Sequence, residues 1–321
     1  YMDYPYTEKA FTGKINGNNY KLYGECGWPI FGYIKGAEIC NFVLSTELHN
    51  SRLAYALFCY VAENSSIKNI TNYAYMGGAK GDNWVVSLGG LICLIADCTV
   101  ENVVNYSDVT GDAAIIQNAY NSTVRNCKNY GNISVDLESR VVGAVVSVIW
   151  SDRYEVPTVG SIVEGCENYG NIIGANYIGG IVGRVELFND ALTIGYVSSK
   201  YFTDLGCVEL AQNPSVIRNC KNFGNIYRNK DYRKKVTNSP LSNTVICCFG
   251  GIAGLGYQIE NCTNSGNVYG FEVIHPEYTV DYIGGVAGAA CTVTDCTSST
   301  KLVASNTIEH TDDICGYLIE K

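Results

Sequence analysis

The chain has 321 residues, 47% of them hydrophobic and 17% charged, a balance that excludes a disordered polypeptide. Its formal net charge of −9 argues against a surface for nucleic acid or anionic lipid. No run approaches about 18 apolar residues, so no membrane span is expected.

Abundant Val, Ile, Asn and Thr, 34 glycines and 25 tyrosines favour strands and turns, and no long stretch has the apolar spacing of a helix. Composition predicts an all-β protein. The chain opens at Tyr1 without a Met or a signal peptide, which reads as a processed protein or a fragment. Residues 11–44 then read FTGKINGNNYKLYG and PIFGYIKGAEICNFVL, and Asn16-Gly17-Asn18-Asn19 is a strong turn between two short β runs.

After that one phrase is restated along the chain. Its first half is YIGGIVG from Tyr177, then FGGIAG from Phe249 and IGGVAG from Ile283, with degenerate early forms GGLIC from Gly89 and GAVVS from Gly143. Its second half is VRNCKNYGNI from Val124, VEGCENYGNI from Val163, IRNCKNFGNI from Ile217 and IENCTNSGNV from Ile259. Repetition at a few tens of residues is the mark of a solenoid. The anchors Ile39, Ile67, Val100, Val124, Val163, Ile217, Ile259 and Val293 give eight coils. The first-half strand starts at Ile30, Ala114, Phe249 and Ile283, slightly further back at Leu53 and Leu88, and far back at Val142 and Ile178.

The expectation is therefore one domain over residues 1–321. Residues 1–27 would form a cap with the first strands, and residues 28–313 eight coils with long loops near 150–160, 189–214 and 228–244. Residues 314–321, beginning Ile314-Cys315-Gly316-Tyr317-Leu318-Ile319, look like the first strand of an unfinished ninth coil. Eight coils at about 4.8 Å each would make a rod of roughly 40 Å.

The F-x-G-x-(I/F)-x-G-N-x-Y opening, the I-F-G-Y-I-x-G-A-x-I strand pair and the repeated GG-(I/V)-(V/A)-G and I-x-N-C-x-N-x-G-N-(I/V) units resemble the GLUG-repeat proteins, from about residue 11 to 319. The resemblance implies a right-handed parallel β-helix in a secreted or cell-surface protein of bacteria or some protists. It specifies architecture and says little about activity, because members join the repeat to many different partners.

Period-2 alternation assigns the faces of a unit. In VRNCKNYGNI, Val124, Cys127 and Ile133 point inward, Arg125, Lys128 and Tyr130 outward, and a bend near Asn126 resets the phase. Ile70, Val103, Cys166, Cys220, Cys262 and Cys296 are equivalent to Cys127. A position that takes Ile, Val or Cys is a core position, so Cys127, Cys166, Cys220, Cys262 and Cys296 read as a core thiol ladder. Identical stacked positions seldom offer disulfide geometry. Cys59 with Cys93, or Cys247 or Cys248 with Cys207, are better disulfide candidates, and 15 cysteines leave at least one outside any intrachain bridge.

Two asparagine series read as structural ladders. One is Asn41, Asn69, Asn102, Asn126, Asn219 and Asn261, with Gly165 and Asp295 as departures; the other is Asn72, Asn105, Asn129, Asn168, Asn222 and Asn264. Tyr73, Tyr106, Tyr130, Tyr169 and Phe223 follow the second series and form an outward stripe. Such a stripe either stacks on itself or binds a sugar or a partner. Sequons at Asn64, Asn69, Asn105, Asn121, Asn132 and Asn261 would carry glycans in a eukaryotic secretory host.

The sequence offers little chemistry. His49, His275 and His310 are isolated and no C-x-x-C occurs, so neither zinc nor another metal or cofactor is expected. Asp108 with Asp112, and Asp312 with Asp313, are the close acidic pairs, both in turn-like text. No calcium loop or nucleophile elbow is present, and GGIAGLG from Gly250 recurs in other coils, which makes it architecture instead of a phosphate loop. Arg228, Lys230, Arg233, Lys234 and Lys235, against Asp231 alone, form a basic patch, either a solvated loop or a contact for an anionic glycan or partner.

The leading expectation is a non-enzymatic extracellular or cell-surface rod that self-assembles, head to tail through its unfinished end, or adheres. A glycan-binding adhesin using the stripe, with surface glycans or host proteins as partners, is the alternative, and a carbohydrate-active enzyme the third.

Overall fold

A computed structural model describes residues 9–50, 56–77, 90–135, 141–150, 160–186, 214–229, 245–270, 279–303 and 308–319. The described residues hold strands, turns and bends and no helix, in sheets of 22, 6 and 5 strands. Neighbouring strands run parallel, coil on coil. The eight anchors share one register, Ile39 beside Ile67, then Val100, Val124, Val163, Ile217, Ile259 and Val293. All except Val293 are buried. β-Branched residues in line suit a parallel sheet with one face in a core. The chain is a parallel β-solenoid.

Left-handed bends turn the strands, and their residue types explain the asparagines. The second-half bend lies at Asn41, Asn69, Asn102, Asn126, Gly165, Asn219, Asn261 and Asp295, all with φ between 47° and 64°. Left-handed backbone is strained for most L-residues and tolerated by Asn, Asp and Gly. The departures Gly165 and Asp295 are thus the other residues the bend accepts. A second column, Gly36, Asn64, Asp97 and Asn121, has φ between 41° and 62° and marks a bend the sequence analysis missed.

The amino-terminal residues differ from expectation. Lys14–Asn16 and Lys21–Cys26 both pair in parallel with Glu38–Asn50 and not as a hairpin with each other, so the Asn16–Asn19 turn is a coil corner. Ile15 stands beside Ile39, which makes this segment a rung of the stack. Phe11, Phe31, Phe42 and Phe58 close the core there, with ring centroids 5.2 to 6.3 Å apart. At the other end Cys315–Leu318 pairs with Ala287–Thr294, in the column of the first-half strands.

One alignment changes. Phe31, Cys59, Ile92, Ile116, Val146, Val182, Ala253, Ala287 and Cys315 form one column. Val142, Ile178, Phe249 and Ile283 form a different one, in the five-strand sheet. Ile30 therefore matches Ile252, not Phe249. The glycine phrase straddles two sheets, and its first strand belongs to the five-strand sheet, whose members start at Val141–Gly143. Leu53, Leu88 and the interiors of the three long loops lie outside the described residues.

The five-strand sheet packs on backbone. A Cβ at Gly254 would lie 2.7 Å from the Ile178 nitrogen, and one at Gly288 2.5 Å from the Phe249 nitrogen. Glycine is required there by close approach. A satellite core of Tyr177, Cys248, Leu255, Tyr282, Ala289 and Ile319 forms beside it.

Candidate functional site

The exposed aromatic stripe is the first candidate. Tyr73, Tyr106, Tyr130, Tyr169 and Phe223 are between 39% and 47% exposed, enough for a ligand to reach. Successive centroids are 5.0, 4.9, 4.6 and 4.8 Å apart and no pair is tilted by more than 13°. The rings cover one another's faces. A sugar that stacks on an aromatic ring needs a free face, and the column leaves one only on the outer sides of Tyr73 and Phe223.

The residues between the rings hold neighbouring coils together. Asn72, Asn105, Asn129, Asn168, Asn222 and Asn264 are fully buried, and each of the first five donates Nδ2–H to the next Oδ1 at 2.8 Å. Each Nδ2 also donates to the carbonyl two residues on, at 2.7 to 3.0 Å, so these buried amides are satisfied. The outer bend asparagines form a second row: Asn69 donates to Asn41, Asn102 to Asn69 and Asn261 to Asn219. Where Gly165 breaks that row, Glu164 accepts from Asn219.

Sequence reasoning missed two further rows. The last Asn of each NYGN unit accepts from the backbone of the next coil: Asn132 from Asn171 N–H, Asn171 from Asn225, Asn225 from Asn267 and Asn267 from Lys301. At the other bend Ser65, Ser122, Ser161 and Ser215 hydroxyls accept backbone N–H groups, with the Cys98 thiol in one rung. The repeated Asn and the Ser two places before Ile67, Val124, Val163 and Ile217 were the available signals.

The thiol ladder is a core column. Cys127, Cys166, Cys220 and Cys262 are buried, and Cys296, expected with them, is half-buried at the column's end. Each thiol donates to the carbonyl two residues back, across the bend, at 3.2 to 3.4 Å. That is what Cys adds over Val or Ile at this position. Burial pushes the Cys127 and Cys220 thiols well above their ordinary range.

Among the described residues no cysteine is in a disulfide. The expected Cys59–Cys93 bridge is absent because Cys59 stands beside Ile92; Cys93 lies one residue on, facing the other way and donating to Gln117. Cys207 lies outside the described residues.

Three other expectations change. Asn105 is a fully buried rung of the inner ladder, so this sequon cannot take a glycan in the folded chain; Asn64, Asn69, Asn132 and Asn261 are exposed and Asn121 half-exposed. Arg228, assigned to the basic patch, is buried: it forms an ion pair with buried Asp281 and lies over the Phe249 ring at 4.7 Å. Its expected companions Lys230, Asp231, Arg233, Lys234 and Lys235 lie outside the described residues. The acidic pairs serve turns: Asp108 accepts from Asn132, Asp112 from Gln117, and Asp312 from the Ile314 and Cys315 N–H groups.

Among the described residues, no group of three or more His, Cys, Asp or Glu side chains could hold a metal ion, and no helix is long and apolar enough to cross a membrane. Compared with protein-family models, with curated proteins and with solved structures, the chain has no match.

Proposed function

We propose that the protein is a non-enzymatic structural rod of the GLUG-repeat type, secreted or displayed at a cell surface, where it spaces, adheres or assembles. The observation that carries this reading is how the repeated motif is used. In NYGNI the first Asn is an inner ladder rung, the Tyr a stacked ring, the second Asn an outer rung and the Ile core. The Gly sits where a Cβ would meet a neighbouring coil's carbonyl oxygen at 1.8 to 1.9 Å in four successive coils. Residues committed to holding coil to coil are not free for turnover. End-to-end assembly of such rods belongs to the proposal.

Electron microscopy of the native particle tests it, with rods that lengthen into fibres on concentration as the expected result. Hydrolysis of a polysaccharide by the pure protein would sink it.

Exposure of the stripe favours a second reading, a glycan-binding adhesin that uses the outer faces of Tyr73 and Phe223. A glycan array decides: binding lost on Tyr73→Ala with Phe223→Ala supports it, and binding unchanged rejects it.

A further inference from the structure

The face formed by the anchor strands carries an outward row of charges that bridges neighbouring coils. The residue after each anchor points outward, and in six successive coils that column reads Lys68, Glu101, Arg125, Glu164, Arg218, Glu260. The sign alternates without a fault. Within the chain the row makes bridges from Lys68 to Glu101 at 3.2 Å, Arg125 to Glu164 at 3.6 Å and Arg218 to Glu164 at 3.0 Å. Its side chains stay partly exposed, and a parallel column, Ser66, Thr99, Thr123, Ile162, Val216 and Gln258, lies beside it, also partly exposed.

An alternating row of even length is its own complement when reversed. We propose that this face is an interface for a second copy of the chain, antiparallel to the first. The two-fold axis would run along the strand direction and pass between the Arg125 and Glu164 coils. Each row then lies on its own reversed image. Arg125 meets the second copy's Glu164, Glu101 its Arg218, and Lys68 its Glu260, and each pair occurs twice. The uncharged column meets itself in the same way, Thr123 against Ile162, Thr99 against Val216 and Ser66 against Gln258.

The other face-to-face arrangement, with the solenoids parallel, lays the charged row on the uncharged column and forms none of these pairs. Charge therefore selects the antiparallel dimer. Two columns over six coils cover about 10 by 30 Å, which places the contact among weak, salt-dependent associations.

A zero-length carbodiimide cross-link tests the geometry. Within one chain Lys68 and Glu260 are five coils apart, about 24 Å at about 4.8 Å per coil, beyond reach of a direct amide. The expected result is a Lys68–Glu260 amide found by mass spectrometry in a species of twice the chain mass, rising with protein concentration and lost in 1 M salt at about a 3 Å screening length.

Glu260→Lys should weaken dimerisation at least tenfold in sedimentation, and adding Lys68→Glu should restore it. Each exchanged residue still faces a like charge within its own chain, so only contact between copies explains rescue. A protein that stays monomeric at every concentration, a dimer that yields only same-chain links such as Lys68–Glu101, or failure of the rescue would overturn the proposal.

Discussion

The first coils and the last ones use the same columns with different residues. The column that holds Cys127 runs Phe42, Ile70, Val103, Cys127, Cys166, Cys220, Cys262 and Cys296, from large to small. The outward column next to the first-half strand runs Gly32, Tyr60, Cys93, Gln117, Ser147, Gly183, Gly254, Gly288 and Gly316. Where it holds Tyr, Cys or Gln, side chains occupy the outer face. From Ser147 through Gly183, Gly254, Gly288 and Gly316 the five-strand sheet lies on this column and brings with it the satellite core and the Arg228–Asp281 pair, whereas a Cβ at Gly32 would meet nothing within 4 Å. Small volume in this column is necessary for the five-strand sheet to lie on it, and not sufficient.

The largest effect is expected at the buried pair of the later coils. Asp281→Ala strands the Arg228 charge and should cost about 3–5 kcal/mol in denaturant unfolding, whereas Arg228→Met with Asp281→Leu should cost little or stabilise. A small effect of the single change would mean the later coils do not rely on this pair.

Glycine divides the halves next. Gly288→Ala sets a Cβ 2.5 Å from the Phe249 nitrogen and should cost about 1–3 kcal/mol. Gly32→Ala, in the same column, meets nothing within 4 Å and should be neutral or slightly stabilising. Equal costs would refute the volume rule.

The inner ladder joins both halves. Asn168→Ala removes the acceptor of Asn129 and a donor to Gly170, leaving buried groups unpaired at about 1–3 kcal/mol.

Thiols give the smallest change. Cys166→Val, copying Val103 in the same column, should cost less than about 1.5 kcal/mol.

The thiols also set a pH dependence. Burial raises Cys98 to about 11 and Cys93 to about 12, from an ordinary 9.0. The unfolded chain loses these protons first. Stability is thus undiminished below about pH 8.5 and falls as pH rises through the unfolded thiol range towards 11–12. Flat unfolding midpoints from pH 8 to 11 would contradict it.

Much of this was legible in the sequence. The eight anchors, the inward thiols, the outward aromatic row and the bend at Asn126 follow from alternation and from the few residue types that accept left-handed backbone. Both are properties of single residues and their neighbours. Even Gly165 and Asp295 could have been read as bend residues, and the alternating charges stood one place after each anchor.

The sequence by itself determined the coil, because strand, bend and inward face are local and repeat. Only the tertiary structure decided what each repeated residue touches. It buried Asn105, turned Cys93 away from Cys59, drew Arg228 inside against Asp281 and split the glycine phrase between two sheets. The physical reason is register across insertions. Neighbouring coils are joined by segments of unequal length, and which column a residue enters, or which sheet lies over it, depends on packing between residues 24 to 54 positions apart.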